Sequence, residues 1–256
     1  MNLTLVDTHS HLYSEPLCQD IDGVIKRARE SGVKAIIVPG TDQEDSQEAI
    51  QLACKYHGYV FAAIGVHPQS IQEDEDLSWL SCMAQDPHVI AIGEIGLDSE
   101  VREPGIPMQE RRFLKQLAIA KDRQLPILVH CRGALEKTIS ILEGWGGKGG
   151  ILHAWPGSKE ATRSLLDKGF YCGVCGVVTR LASTRKRRNL LSFPLEKIVL
   201  ETDSPYIGTE KSPKGKVEPA DLLEICQSLS ELYGLPEETI ANITTENASK
   251  ALFSIF

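Results

Sequence analysis

The chain carries seven histidines, His9, His11, His57, His67, His88, His130 and His153. Five of them stand at or just beyond the C-terminal end of a short apolar run. His9 and His11 follow the first run in Asp7-Thr8-His9-Ser10-His11, and His67 follows the third in Gly65-Val66-His67-Pro68. His130 ends the fifth run and His153 the sixth. Two acids share this placement: Glu94 at the end of the fourth run and Asp203 just after the eighth. An H-x-H on extended backbone projects both imidazoles to one side, because side chains on a strand repeat every two residues. Neutral imidazole suits Zn, Mn or Fe, and carboxylates can bridge two ions. Two ions about 3.5–4 Å apart activate a water and stabilise both oxygens of a phosphoryl displacement. Glu94 lies in Gly93-Glu94-Ile95-Gly96, where glycines permit close backbone approach, and this favours a ligand. His57 and His88 fall in helix-end or loop settings and read as surface residues.

One architecture gathers all seven groups. The apolar runs 4–6, 35–39, 60–65, 89–94, 127–130, 150–153, 170–174 and 198–201 are short and mostly continuous, the pattern of parallel strands buried on both faces. Helix-period segments separate them at 21–31, 46–56, 77–85, 110–123, 135–143, 159–168 and 184–191. A further helix, 220–233, and two shorter stretches reaching Leu252 follow the last strand. Gly32 and Gly169 suit the position just past a helix end, and Pro219 suits a helix start. Eight strand–helix alternations predict a parallel α/β fold. A closed (β/α)8 TIM barrel fits best, with a doubly wound open sheet as the alternative. All strand C-termini of a barrel open on one face, where active sites are built, so seven metal-competent side chains from six strands would meet at one mouth. No low-complexity linker divides the sequence, and residues 1–256 read as a single domain. The Lys-, Pro- and Gly-rich segment 207–218 reads as a mobile loop near the site.

Bulk properties narrow the class further. The 256 residues are 42% hydrophobic and 24% charged, as in a globular protein. No apolar run reaches the roughly 18 residues of a membrane span, and the first residues lack the basic region and cleavage site of a signal peptide. Seven cysteines at scattered spacings argue against a disulfide scaffold and for a reducing, cytoplasmic setting. Cys172 and Cys175 form a CxxC inside a strand-like run; residues three apart on a strand face opposite sides, so both read as packing residues. The formal charge of -8 excludes a uniformly basic nucleic-acid coat but not a nucleic-acid substrate held by metals and a local patch. Such a patch exists: residues 180–216 hold nine Lys or Arg against four acids, in the part of a barrel that often binds phosphate. Arg180, Lys214 and Lys216 read as phosphate contacts. Arg185–Arg188 reads as a solvated helix face. Trp155 can stack on a base or pack at the sixth strand's mouth.

The motifs DTHSH, GVHP, GEIGLD, LVHCR, ILHAWPGS and ETDSPY occur in that order between Asp7 and Asn247. They resemble TatD-type metal-dependent hydrolases, TIM-barrel members of the amidohydrolase superfamily. The resemblance implies a deoxyribonuclease with 3′-to-5′ exonuclease action on single-stranded DNA, using a two-metal-activated water. It implies two divalent metal ions (Zn, Mn or Mg), with His9, His11 and Asp203 on one, His130 and His153 on the other, and Glu94 bridging. Asp203 would also orient or deprotonate the water, and His67 would contact the scissile phosphate. Arg132 would join the substrate and second-layer groups with Asp98 and Glu201, which could orient ligands. The sequence departs from the family pattern at Trp155 (usually Phe), at Ser99 (usually aromatic) and at Val217 (usually Asn). These departures keep open amide or ester hydrolysis, such as D-aminoacyl-tRNA deacylation, and a partner-dependent nuclease subunit of a DNA-processing or defence complex.

Overall fold

The apolar runs become eight parallel strands in one sheet, ordered as they occur in the chain. The computed structural model describes residues 3–72 and 76–252; Met1 and Asn2, part of the segment read as lacking a leader, lie outside them. The strands are β1 (Leu5–Asp7), β2 (Val33–Pro39), β3 (Val60–Ile64), β4 (Val89–Asp98), β5 (Ile127–Arg132), β6 (Gly150–Leu152), β7 (Phe170–Val174) and β8 (Ile198–Leu200). Helices α1 (Ile21–Glu30), α2 (Gln43–Lys55), α3 (Ser78–Met83), α4 (Ile106–Arg123), α5 (Leu135–Trp145), α6 (Lys159–Asp167) and α7 (Thr184–Leu190) connect them. Two more, α8 (Leu222–Tyr233) and α9 (Glu237–Ala251), follow β8. The seam between β8 and β1 is drawn together just beyond the strands. Thr8 N–H donates to the Leu200 carbonyl at 3.0 Å, and Asp203 N–H to that of His9 at 2.8 Å. The result is a nearly closed (β/α)8 barrel, and the open-sheet alternative falls away.

Alternation along the strands builds two apolar layers. Val6, Ile37, Ala63, Ala91, Leu128, Ile151 and Val199 form an inner cluster, which Ala248, Ala251 and Leu252 of α9 join at the end of the barrel away from the site. Leu5, Ile36, Ile64, Ile92, Val129, Cys172 and Leu200 belong to the outer cluster with helix residues such as Phe113 and Leu117. Both strand faces are covered, which is why the runs are continuous rather than alternating. Cys172 and Cys175 are both buried and unbridged, consistent with packing.

Three sequence expectations are revised. β4 runs through the glycines to Asp98, so Glu94 lies mid-strand. Its pairing with β5 shifts register between Ile92 and Ile95, and a bulge of this kind re-aims a side chain. The two short stretches near the end are one helix, α9. Asn247 stops it splitting from the barrel, donating to the carbonyls of Leu195 at 2.8 Å and Ile198 at 2.7 Å. Segment 207–218 carries bonds of its own: Thr209 N–H to Ser212 O at 2.8 Å, Gly215 N–H to Pro205 O at 2.8 Å, and Glu210 N–H to Thr179 Oγ1 at 2.7 Å. Val217 is fully buried, which accounts for an apolar residue there. Gly32 and Gly169 adopt positive φ after α1 and α6, and Pro219 opens a short 3-10 turn before α8, as expected. Among the described residues, no helix is long and apolar enough to cross a membrane.

Candidate metal centre

His9, His11, His153 and Asp203 are buried just past strand C-termini and Glu94 is buried within β4, with His67 and His130 beside them. His9 and His11 lie just past β1, and their Nε2 atoms approach to 3.2 Å. Glu94 Oε2 stands 3.3 Å from His9 Nε2, and Asp203 Oδ1 stands 3.4 Å from His11 Nε2. Glu94 Oε1 turns the other way, 2.9 Å from His130 Nδ1 and 3.8 Å from His67 Nε2. His153 stacks on His9 with ring centroids 3.6 Å apart, and its Nε2 lies 3.6 Å from Asp203 Oδ2.

These groups fall into three clusters of donor atoms within 4.8 Å of one another: His9, His11 and Asp203; His9, Glu94 and His153; and His67, Glu94 and His130. The first is the set expected at one metal, and Glu94 belongs to two clusters, as a bridging carboxylate must. His153 keeps company with His9 rather than with His130. The donor set suits divalent cations. Buried acceptor atoms converge there, and His9 Nδ1 has no hydrogen-bond partner at all.

The partners of each imidazole assign its tautomer, and with it the nitrogen free to bind. Tyr13 donates its hydroxyl to the Pro39 carbonyl at 2.8 Å, so the contact at 2.9 Å to His11 Nδ1 uses the N–H of His11. Its Nε2 lone pair then faces the cluster. Asp98 stands 3.1 Å from His130 Nε2, and Glu201 stands 3.1 Å from His153 Nδ1. The Asp98 carboxylate holds one N–H of His130 and turns Nδ1 inward; Glu201 lies close behind His153 Nδ1 without a hydrogen bond to it, and His153 Nε2 faces Asp203. His67 differs. Its Nδ1 accepts the Gln69 N–H at 3.1 Å, so the neutral ring carries its proton on Nε2, the atom facing Glu94. Proximity alone groups His67 with ligands, but this tautomer makes it a hydrogen-bond donor, and the tautomer decides. Burial lowers His67 to about 4, against the pull of Glu94, so the ring is neutral near pH 7.

Electrostatics agrees with a preformed site. Burial alone would raise Glu94, but His9, His67 and His130 outweigh it and hold the carboxyl well below its usual range. Asp203 is depressed in the same way: its burial is overcome by His153, His11 and His9. Burial opposes charge on His130, yet Asp98 and Glu94 lift it to about 9, so this ring is protonated near pH 7 and a cation would have to displace its Nδ1 proton. Asp7 fixes the scaffold from below. It is fully buried, accepts from Thr202 N–H at 2.9 Å and from Thr202 Oγ1 at 2.6 Å, and burial raises it to about 7. Asp203 and Ala154 take left-handed φ of 50° and 41°, uncommon for non-glycine residues and concentrated at functional sites.

The remaining expected residues spread around the mouth. A cavity of about 520 Å³ beside the cluster is lined by His130, His153, Asp203, Arg132 and Trp155, among others. Arg132 is exposed there. Trp155 donates its indole N–H to Thr162 Oγ1 at 2.7 Å, so its ring is fixed as one wall. Arg180, Lys214 and Lys216 do not line this cavity. Arg180 donates to the Gly208 carbonyl at 2.7 Å, while Lys214 and Lys216 are exposed on the loop. Sequence reasoning passed over Tyr13, which the turn after His11 brings back against that ring. Lys186, read with Arg185–Arg188 as a solvated face, lines the cavity.

Fold and site together define a metal-dependent hydrolase on a (β/α)8 barrel. The family model described as TatD related DNase matches residues 6–254, and the chain belongs to that family. The uncharacterized metal-dependent hydrolase YabD of Bacillus subtilis is 35% identical over 255 residues, covering 98% of this chain and 99% of its own. The 3′-5′ ssDNA/RNA exonuclease TatD of Salmonella typhimurium is 35% identical over 262 residues, with the same coverage of both chains. Among solved structures, YjjV, a TatD homologue from Escherichia coli k12, superposes with a TM-score of 0.91 at 27% identity over 99% of both chains.

Proposed function

We propose that this chain is a nuclease that removes nucleotides from the 3′ ends of single-stranded DNA, working as one catalytic domain over residues 1–256 in the cytoplasm. The observation that carries the reading is the outward tethering of His11 and His130 by Tyr13 and Asp98, with Glu201 3.1 Å behind His153 Nδ1. Three ring nitrogens thus face the carboxylates of Glu94 and Asp203. His9, His11 and Asp203 would hold one divalent ion and His130 and His153 would serve the other, with Glu94 shared; Zn, Mn and Mg all match this donor set. Two bound ions would supply the Lewis acidity that activates water and neutralises phosphate charge. Asp203, deprotonated and at the cavity wall, is placed to orient the attacking water and take its proton. His67 offers Nε2–H to a non-bridging phosphate oxygen, a contact that strengthens as charge develops. Arg132 and the Trp155 wall face the leaving nucleotide across the cavity, and Arg180, Lys214 and Lys216 would steer phosphate from the loops beyond. Naming of the Salmonella relative for single-stranded DNA and RNA supports the substrate class.

The test is a metal-replete activity panel over single-stranded DNA, duplex DNA, RNA and acylated tRNA. Single-stranded DNA shortened from its 3′ end, with loss of both activity and bound metal in Glu94→Ala, is the expected result. Turnover of acylated tRNA alone, or an intact Glu94→Ala nuclease, would overturn the reading.

A further inference from the structure

α7 is the most basic element near the site, and its residues divide by role. Arg187 is half-buried and donates to the Val178 carbonyl, and Asn189 donates Nδ2–H to the Gly157 carbonyl at 3.1 Å. These two bonds fix the helix between the segment after β7 and the loop that carries Trp155. Arg185, Lys186 and Arg188 are exposed, and none makes an ion pair among the described residues. Lys186 lines the cavity that His130, His153 and Asp203 border. A second groove, of about 570 Å³, runs along the outer side of the helix and is lined by Arg185, Arg188 and Ser192, with Glu160 its one acid. Cavity and groove share Pro156, Lys186 and Asn189, so they are continuous across α7.

Three unpaired cations on a helix pinned by its other side chains form a track leading from the metal-ligand cluster to open surface. The rest of the molecule is acidic, with 27 basic against 35 acidic residues overall, so this strip stands out as a place for a polyanion. We propose that Arg185, Lys186 and Arg188 bind successive backbone phosphates of a single-stranded nucleic acid whose terminal phosphodiester lies at the metal cluster, with Lys186 nearest the cluster. The assignment rests on the nuclease reading above and adds to it the path of the strand. It also reverses the sequence expectation for Arg185–Arg188, because a merely solvated face would not wall a groove continuous with the catalytic cavity.

Two measurements on R185Q/K186Q/R188Q test it. The first is binding of fluorescent poly(dT) by the full chain in EDTA, where hydrolysis is absent, across a salt titration. Loss of three phosphate contacts should weaken binding about tenfold and lower the slope of log affinity against log salt by about 2. The second is the ratio of kcat/KM for an oligonucleotide to that for a dinucleotide, which has no phosphate beyond the scissile one. That length advantage should collapse in the variant. A control, K115Q/K121Q on α4, removes exposed charge from another side of the barrel and should keep both properties. Equal poly(dT) binding by the wild type and the α7 variant would overturn the track, as would equal loss in the α4 control. Binding that depends on α7 in a wild type with no nuclease activity would overturn the nuclease reading and leave the track standing.

Discussion

His67 and the ligand histidines crowd around the same carboxylates but differ in which nitrogen is already engaged. His11 and His130 each give one N–H to an outer partner, whereas His67 receives one from Gln69. A ring that receives at Nδ1 keeps its proton at Nε2 and cannot offer that lone pair to a cation. His67→Ala should therefore retain the full metal content by elemental analysis while kcat falls about a hundredfold, the loss expected when one donor to a developing charge is removed. Loss of a metal equivalent in that variant would return His67 to the ligand set. Gly173 shows the same dependence on neighbours: a Cβ there would collide with the Glu201 carboxylate, so the residue is small because Glu201 must reach His153.

Elements position these residues through their ends and irregularities rather than through their regular spans. The register shift in β4 sets Glu94 in the middle of a ten-residue strand. α9 closes the opposite end of the barrel and is tied to β8 by the two bonds from Asn247. Asn247→Ala leaves two buried carbonyls without that partner, which should cost about 2 kcal/mol. A fall in Tm of about 4–8 °C by calorimetry would match that cost, while an unchanged Tm would mean that packing of Ala248 and Ala251 alone holds the helix.

Over the whole molecule, burial sorts groups that the sequence treats alike. Cys18, Cys54 and Cys82 are exposed, and Cys131, Cys172, Cys175 and Cys226 are buried. Burial pushes the Cys175 and Cys226 thiols up to about 12, and raises Cys131 and Cys172 as well. The thiolate is the reactive form, and a raised thiol holds almost none of it at pH 8. A chromogenic disulfide reagent at that pH should react rapidly with three thiols and reach all seven only in denaturant. Rapid reaction of Cys172 or Cys175 would contradict their packing role. Charge is sorted too: an acidic molecule keeps its positive strip beside the one mouth where phosphate is expected.

Strand–helix alternation, the H-x-H pair and the placement of five histidines and Asp203 at or near strand ends were legible in the sequence, because period and local backbone preference are properties of short segments. The barrel follows from them, since a parallel sheet buried on both faces needs a helix after each strand. Tertiary structure alone decided the rest. Whether Glu94 ends a strand or bulges within one depends on pairing with β5, and where α9 docks depends on what Asn247 reaches. Which nitrogen is free depends on Tyr13 and Gln69, each two residues along from its histidine, and on Asp98, supplied by another strand. The basic run at Arg185–Arg188 carries no sign in its sequence of which cations are pinned and which are free. Most of those distinctions are made by contacts between residues far apart in the chain, and the two local ones depend on turns whose geometry the residue types alone do not fix.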